Sequence, residues 1–122
     1  MLTILVAEDN ALNLELLSTI LLAHSYGVIT ACNGEDAVIA AETELPDLIL
    51  MDIQMPGLDG HEALTLIRAN PKTQHIPVIA VTGNAMPHDL KKIEESGFNG
   101  IVNKPFKINE LLQVIQRSLR AK

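Results

Sequence analysis

Five side chains with chemical potential stand at or just behind four short apolar runs: Glu8 and Asp9 after Ile4 to Ala7, Asp52 after Leu48 to Met51, Thr82 after Val78 to Val81, and Lys104, followed by Pro105, after Ile101 and Val102. If those runs are buried parallel strands, their carboxyl ends lie along one edge of a sheet, so the carboxylates, the hydroxyl and the ammonium share one crevice. Three acids held close together repel one another and would retain a proton near neutral pH, whereas a divalent cation lets all of them ionise. A lysine beside such a metal is suited to an anionic ligand such as a phosphoryl group. The arrangement therefore reads as a metal and phosphoryl site.

The elements that must position these groups follow from periodicity. Short apolar runs alternate with helical patterns, as in an open, doubly wound α/β fold with five parallel strands and helices on both faces. The spacing predicts strands at about Thr3 to Ala7, Val28 to Ala31, Asp47 to Met51, Val78 to Val81 and Gly100 to Val102. Their run-like apolarity suits strands covered on both faces. A first helix is expected over Ala11 to His24, with Leu14, Leu17 and Leu21 on one stripe widened by Leu12, Leu16 and Ile20. A second is expected from Glu35 to Glu44, with Asn33 and Asp36 spaced as an N-cap pair and Pro46 blocking continuation. Asp59 and Glu62 have the capping-box spacing at the start of a third, which carries Leu64 and Ile67 and stops before Pro71. The fourth, Pro87 to Ser96, has an apolar stripe made almost wholly of Leu90 and Ile93, so it should be weakly anchored. The fifth, Ile108 to Arg120, carries a firm stripe through Leu111, Leu112, Ile115 and Leu119.

Bulk properties exclude several functions. The chain of 122 residues is expected to form a single domain over 1–122, with no room for an output domain. Hydrophobic residues make up 48% but aromatic ones only 2%, which leaves Tyr26, Phe98 and Phe106 as the only rings, too few for base-stacking platforms. The net charge of -6 has the wrong sign for a nucleic-acid backbone binder, so no direct nucleic-acid contact is expected. No apolar stretch approaches the roughly 20 residues of a membrane helix. The single cysteine, Cys32, reads as a small buried or turn residue and cannot form an internal disulfide, which fits a cytoplasmic location. His24, His61, His75 and His88 lack metal-ligand spacing and read as surface residues.

The motifs Val6-Ala7-Glu8-Asp9-Asn10, Leu50-Met51-Asp52-Ile53-Gln54-Met55-Pro56-Gly57-Leu58-Asp59-Gly60, Ala80-Val81-Thr82-Gly83-Asn84-Ala85-Met86 and Asn103-Lys104-Pro105-Phe106, in this order and spacing, resemble the receiver domain of two-component response regulators over essentially the whole chain. The resemblance implies a flavodoxin-like sandwich with strand order 2-1-3-4-5. It implies that Asp52 is the phosphoacceptor for a phosphohistidine donor, either a histidine kinase or a histidine phosphotransfer protein. Asp9 would ligate Mg2+ directly, Glu8 through metal-bound water, and Gln54 through its backbone carbonyl, with Asp52 completing the protein's share. Thr82 and Lys104 would grip phosphoryl oxygens, and the Lys104-Pro105 bond would be cis. The side chains of Gln54 and Asn84 would modulate dephosphorylation. The downstream protein partner would bind the surface formed by helix four, strand five and helix five.

One position departs from the family's common pattern. Where an aromatic residue often stands in the last strand, three positions before the lysine, this chain has Ile101, which has few rotamers and no ring to relocate. That makes Ile101 an atypical switch position. Glu8-Asp9-Asn10 with Asn13, the Ala85-Met86 loop and the aliphatic Ile101 are similar to two subgroups: stand-alone cell-cycle regulators of the DivK type, and receiver modules of hybrid histidine kinases. Two other functions share parts of this pattern. A Mg2+-dependent phosphatase with an aspartyl-phosphate intermediate commonly needs a second Asp two positions beyond the nucleophile, where Gln54 stands. A degenerate, non-phosphorylated interaction module would be expected to lack some member of the acid, Thr and Lys set, and this chain has them all.

Overall fold

Alternation of side chains along each strand builds two cores, one on each face of a single sheet. The computed structural model describes residues 1–83, 87–105 and 107–120, with the backbone alone at 87 and 88. Asn84, Ala85, Met86, Phe106 and the side chain of His88 therefore lie outside the described residues. Strands β1 (Thr3–Ala7), β2 (Gly27–Ala31), β3 (Leu48–Asp52), β4 (Val78–Thr82) and β5 (Gly100–Asn103) alternate with helices α1 (Ala11–Ala23), α2 (Gly34–Glu44), α3 (Gly60–Ala69), α4 (Pro87–Glu95) and α5 (Ile108–Arg120). All pairings are parallel and the order is β2-β1-β3-β4-β5. This is the flavodoxin-like topology expected above.

Even-numbered residues of β1 and β3, Ile4, Val6, Leu48 and Leu50, join Leu17 and Leu21 of α1 and Leu111 and Ile115 of α5. Their odd-numbered neighbours, Leu5, Ala7, Ile49 and Met51, meet Ala37 and Ala41 of α2 and Leu64 and Ile67 of α3 on the other face. The small alanines of α2 let that helix lie close to the sheet. Burying each large aliphatic contributes about 1.5–3 kcal/mol, so these two layers hold the strand ends in fixed register.

The leucine-rich α1 departs from expectation. Leu17, Ile20 and Leu21 are buried, but Leu12 is 77% exposed and Leu16 47% exposed. The helix is apolar on more than one side, and the sheet covers only one of them. Its N-cap is Asn10, whose side chain accepts from Asn13 N at 3.0 Å, so the adjacent acids Glu8 and Asp9 are not its caps. Asn33 caps α2 by accepting from Asp36 N at 2.8 Å, and Asp59 with Glu62 forms the capping box of α3. Among the described side chains of α4, Ile93 alone is buried.

Candidate functional site

The strand order reverses direction between β1 and β3, and the crevice opened at their carboxyl ends is where the chemistry gathers. Glu8 follows β1 and is 1% exposed, while Asp52 ends β3 and is 4% exposed. Register fixes them: Ala7 pairs with Met51, so the next residue of each strand emerges at the same level. Asp9 is the solvent-facing member of the group. One carboxylate oxygen from each of Glu8, Asp9 and Asp52 lies within 4.8 Å of the others.

Lys104 enters from β5. Its backbone N donates to Thr82 O at 2.8 Å, and the Lys104-Pro105 peptide bond is cis. Its Nζ donates to Asp52 Oδ2 at 3.0 Å and lies 2.8 Å from Glu8 Oε1. The second contact is an ion pair without good hydrogen-bond alignment, so Glu8 Oε1 is buried with a charge beside it but no well-directed donor. Glu8 Oε2 accepts from Asn10 N at 3.3 Å, and Asp52 Oδ1 accepts from Gln54 N at 3.0 Å. Thr82 closes β4 and is buried beside Gly83, one of the residues lining the crevice. That crevice, about 520 Å³, is lined also by Asn13, Gln54 and the acids already named.

The electrostatics follow from crowding. Burial raises the Glu8 pKa, hydrogen bonding and charge from Asp52 raise it further, and Lys104 opposes both without cancelling them. For Lys104, burial acts to lower the pKa, but its close contacts with Glu8 and Asp52 and their negative charge outweigh it, and the net shift is upward. The Lys104 ammonium thus faces two buried carboxylates, and Asp9 adds a third acid to the same group. The all-oxygen donor set and the incompletely satisfied Glu8 fit a hard divalent cation such as Mg2+.

Glu8, Asp9, Asp52, Gln54 and Lys104 meet in this one crevice, Thr82 is buried next to its lining residue Gly83, and Asn84 lies outside the described residues. Ile101 is half-buried in β5, opposite Ala80 of β4, and faces away from the core that holds Val102. Cys32 is exposed just after β2, a turn residue rather than a buried one.

His61, read as a surface residue, is instead partly buried. Its ring meets Phe98 edge-on with centroids 5.6 Å apart, and its Nδ1 is shielded with no hydrogen-bond partner among the described residues. Burial lowers its pKa, with Lys92 adding to that and Asp59 and Asp89 opposing it. It lines a second cavity of about 540 Å³ between the β3–α3 loop and α4, which shares Asp9 and Gln54 with the crevice. Nothing in the local sequence marks it, because Phe98 reaches it only through the fold.

A five-stranded parallel sheet of this order with acids at the β1 and β3 ends defines the receiver class. Residues 4–116 match the response regulator receiver domain family, and the chain belongs to it. Mg2+ and aspartate phosphorylation are general features of that family, which serves two-component signalling. The chain is 36% identical over 117 residues to the polar-differentiation response regulator DivK of Brucella anthropi, covering 96% of this chain and 95% of that one. The receiver domain of the sensor histidine kinase PA1611 from Pseudomonas aeruginosa, solved with a magnesium ion in its active-site cleft, is 37% identical with a TM-score of 0.90, covering 97% of each chain. The chemotaxis protein CheY4 of Vibrio cholerae superposes with a TM-score of 0.91 at 27% identity, over 97% of this chain and 98% of that one. Among the described residues, no helix is long and apolar enough to cross a membrane.

Proposed function

We propose that this chain is a phosphoacceptor switch that takes a phosphoryl group from a phosphohistidine donor, a histidine kinase or a histidine phosphotransfer protein, onto Asp52. The observation that carries the reading is the placement of Lys104 Nζ at 2.8 and 3.0 Å from Glu8 and Asp52, with Asp9 completing a group of acids within 4.8 Å. Asp9, Asp52 and the Gln54 carbonyl would hold Mg2+ directly and Glu8 through water, a reading supported by the magnesium seen in the PA1611 receiver. When bound, the ion neutralises clustered carboxylates and phosphoryl oxygens, which is most of what phosphoryl transfer requires of a site.

An Asp52 carboxylate oxygen bonds to phosphorus as the phosphorus–nitrogen bond breaks; the electron pair leaves with the imidazole nitrogen, which regains a proton from solvent. Asp52 needs no separate base, since a carboxylate is already a nucleophile. Lys104 transfers its hydrogen bond from Asp52 to a phosphoryl oxygen, and the Thr82 hydroxyl takes another. Gln54 and Asn84 set the access of hydrolytic water.

The exposed Leu12 and Leu16 lie on α1 within three residues of Asn10 and Asn13 at the crevice mouth, giving a donor helix an apolar surface beside the acceptor. The downstream partner binds the face of α4, β5 and α5. The slight anchoring of α4 supports this, since Ile93 is its one described buried side chain. With the half-buried Ile101 in place of a ring, phosphorylation reaches that face through the Thr82 end of β4 rather than through a rotating aromatic. The exposed thiol of Cys32 suits a reducing, cytoplasmic setting.

Incubation with acetyl phosphate and Mg2+ is expected to add one phosphoryl group by intact mass, and Asp52→Asn to abolish it. Multiple turnover of phosphomonoesters without a modified species would instead indicate a phosphatase. No response to either the donor or beryllofluoride would indicate a degenerate module.

A further inference from the structure

The loop between β3 and α3, residues 53–59, carries the Gln54 carbonyl and must hold it still. Its first part is tied to the sheet, since Ile53 N donates to Val81 O at 3.1 Å and Gln54 N donates to Asp52 Oδ1 at 3.0 Å. Its far end is tied by Gly60 N donating to Ile53 O at 3.0 Å and by the capping box of α3. Between these, the chain turns through Gly57 at φ +72° and runs against the start of α2. There Leu58 N donates to the Glu35 carboxylate at 3.1 Å. The approach is close: a Cβ at Gly34 would stand 2.0 Å from Leu58 O. Gly34 thus lets the loop backbone reach α2, and Glu35 fastens it there.

We infer that Glu35 is a positioning residue for the metal site: its carboxylate pins the second half of the β3–α3 loop, at Leu58, to α2 and so helps to fix the Gln54 carbonyl at the crevice. This rests on the proposed function, because it concerns the same Mg2+ site. Glu35 lies far from the acids in sequence and on another element, and no motif of the site includes it. The competing account is that Glu35 merely favours the positive end of α2 as a first-turn acid. That account depends on charge, whereas pinning the loop depends on an acceptor oxygen.

The two are separated with Glu35→Gln, which keeps an acceptor without charge, and Glu35→Ala, which keeps neither. Mg2+ affinity of the whole chain is measured by calorimetry, and amide hydrogen exchange is read at Leu58. Glu35→Ala is expected to weaken Mg2+ binding about three- to tenfold, the net worth of one ordinary hydrogen bond, and to speed exchange at Leu58. Glu35→Gln is expected to retain wild-type affinity within about twofold. Unchanged affinity in Glu35→Ala, or equal weakening in both variants, overturns the inference. Wild-type protein that binds no Mg2+ overturns the proposed function itself, which is a different result from wild-type binding that Glu35→Ala leaves unaltered.

Discussion

Replacing Lys104 by methionine keeps the aliphatic stem and removes the ammonium, leaving Glu8 at 1% exposure and Asp52 at 4% facing each other without it. Breaking one partner out of a fully buried ion pair costs about 3–5 kcal/mol; with the Lys104 side chain 22% exposed, water recovers part of this, and about 2–3 kcal/mol is expected. For a domain of this size that lowers Tm by about 10 °C in the presence of a chelator. Two signatures separate this from loss of packing. Glu8 already has a raised pKa, and losing the lysine raises it further. An acid whose folded pKa exceeds its unfolded value of 4.5 holds more protons when folded, so its contribution is full below 4.5 and is lost as pH rises through the folded pKa. The variant should therefore recover stability on acidification from neutral pH. Saturating Mg2+ should also raise its Tm by more than it raises that of wild type, because the cation replaces the missing charge without competing with it. Differential scanning calorimetry in chelator and in Mg2+, at two pH values, measures all of this. A variant within about 3 °C of wild type in chelator, with an equal increment from Mg2+, would show that Lys104 is not holding the buried acids together.

Gly60→Ala would bring a Cβ to 2.7 Å from Asp52 O and 2.8 Å from Ile53 Cα, both backbone, so chemical denaturation should show a loss of about 1–3 kcal/mol and phosphorylation should slow as Asp52 shifts. His61 has a lowered pKa, so its contribution to stability is complete above its unfolded value of 6.5 and falls as pH drops through the folded pKa. His61→Leu should remove that component, and identical stability slopes for both proteins below about pH 6.5 would contradict the assignment. Asp59→Ala removes the acceptor that meets Glu62 N at 2.9 Å and should lower stability by about 1 kcal/mol in urea titration, with earlier amide exchange in the first turn of α3.

The strands and the principal site were legible because both are written in local pattern. Short apolar runs of about five residues between helical periodicities admit few arrangements other than a parallel sheet, and parallel strands put all their following residues on one edge. Glu8, Asp52, Thr82 and Lys104 could therefore be assembled from position alone, and the capping pairs Asn33/Asp36 and Asp59/Glu62 announced two helix starts three residues at a time. The leucines of α1 were not resolvable this way. A helix apolar around much of its circumference gives no phase, and only docking on the sheet buried Leu17 and Leu21 while leaving Leu12 and Leu16 in solvent.

Sequence by itself determined which groups reach the crevice, because strand direction and one-residue register are set by burial of alternating side chains. Tertiary structure alone decided what surrounds them: that Lys104 spans Glu8 and Asp52, that Phe98 covers the His61 ring, and that Glu35 reaches Leu58 across 23 residues. Those contacts join separate elements, and their distances depend on how closely helices lie on the sheet. A local pattern carries no record of that spacing.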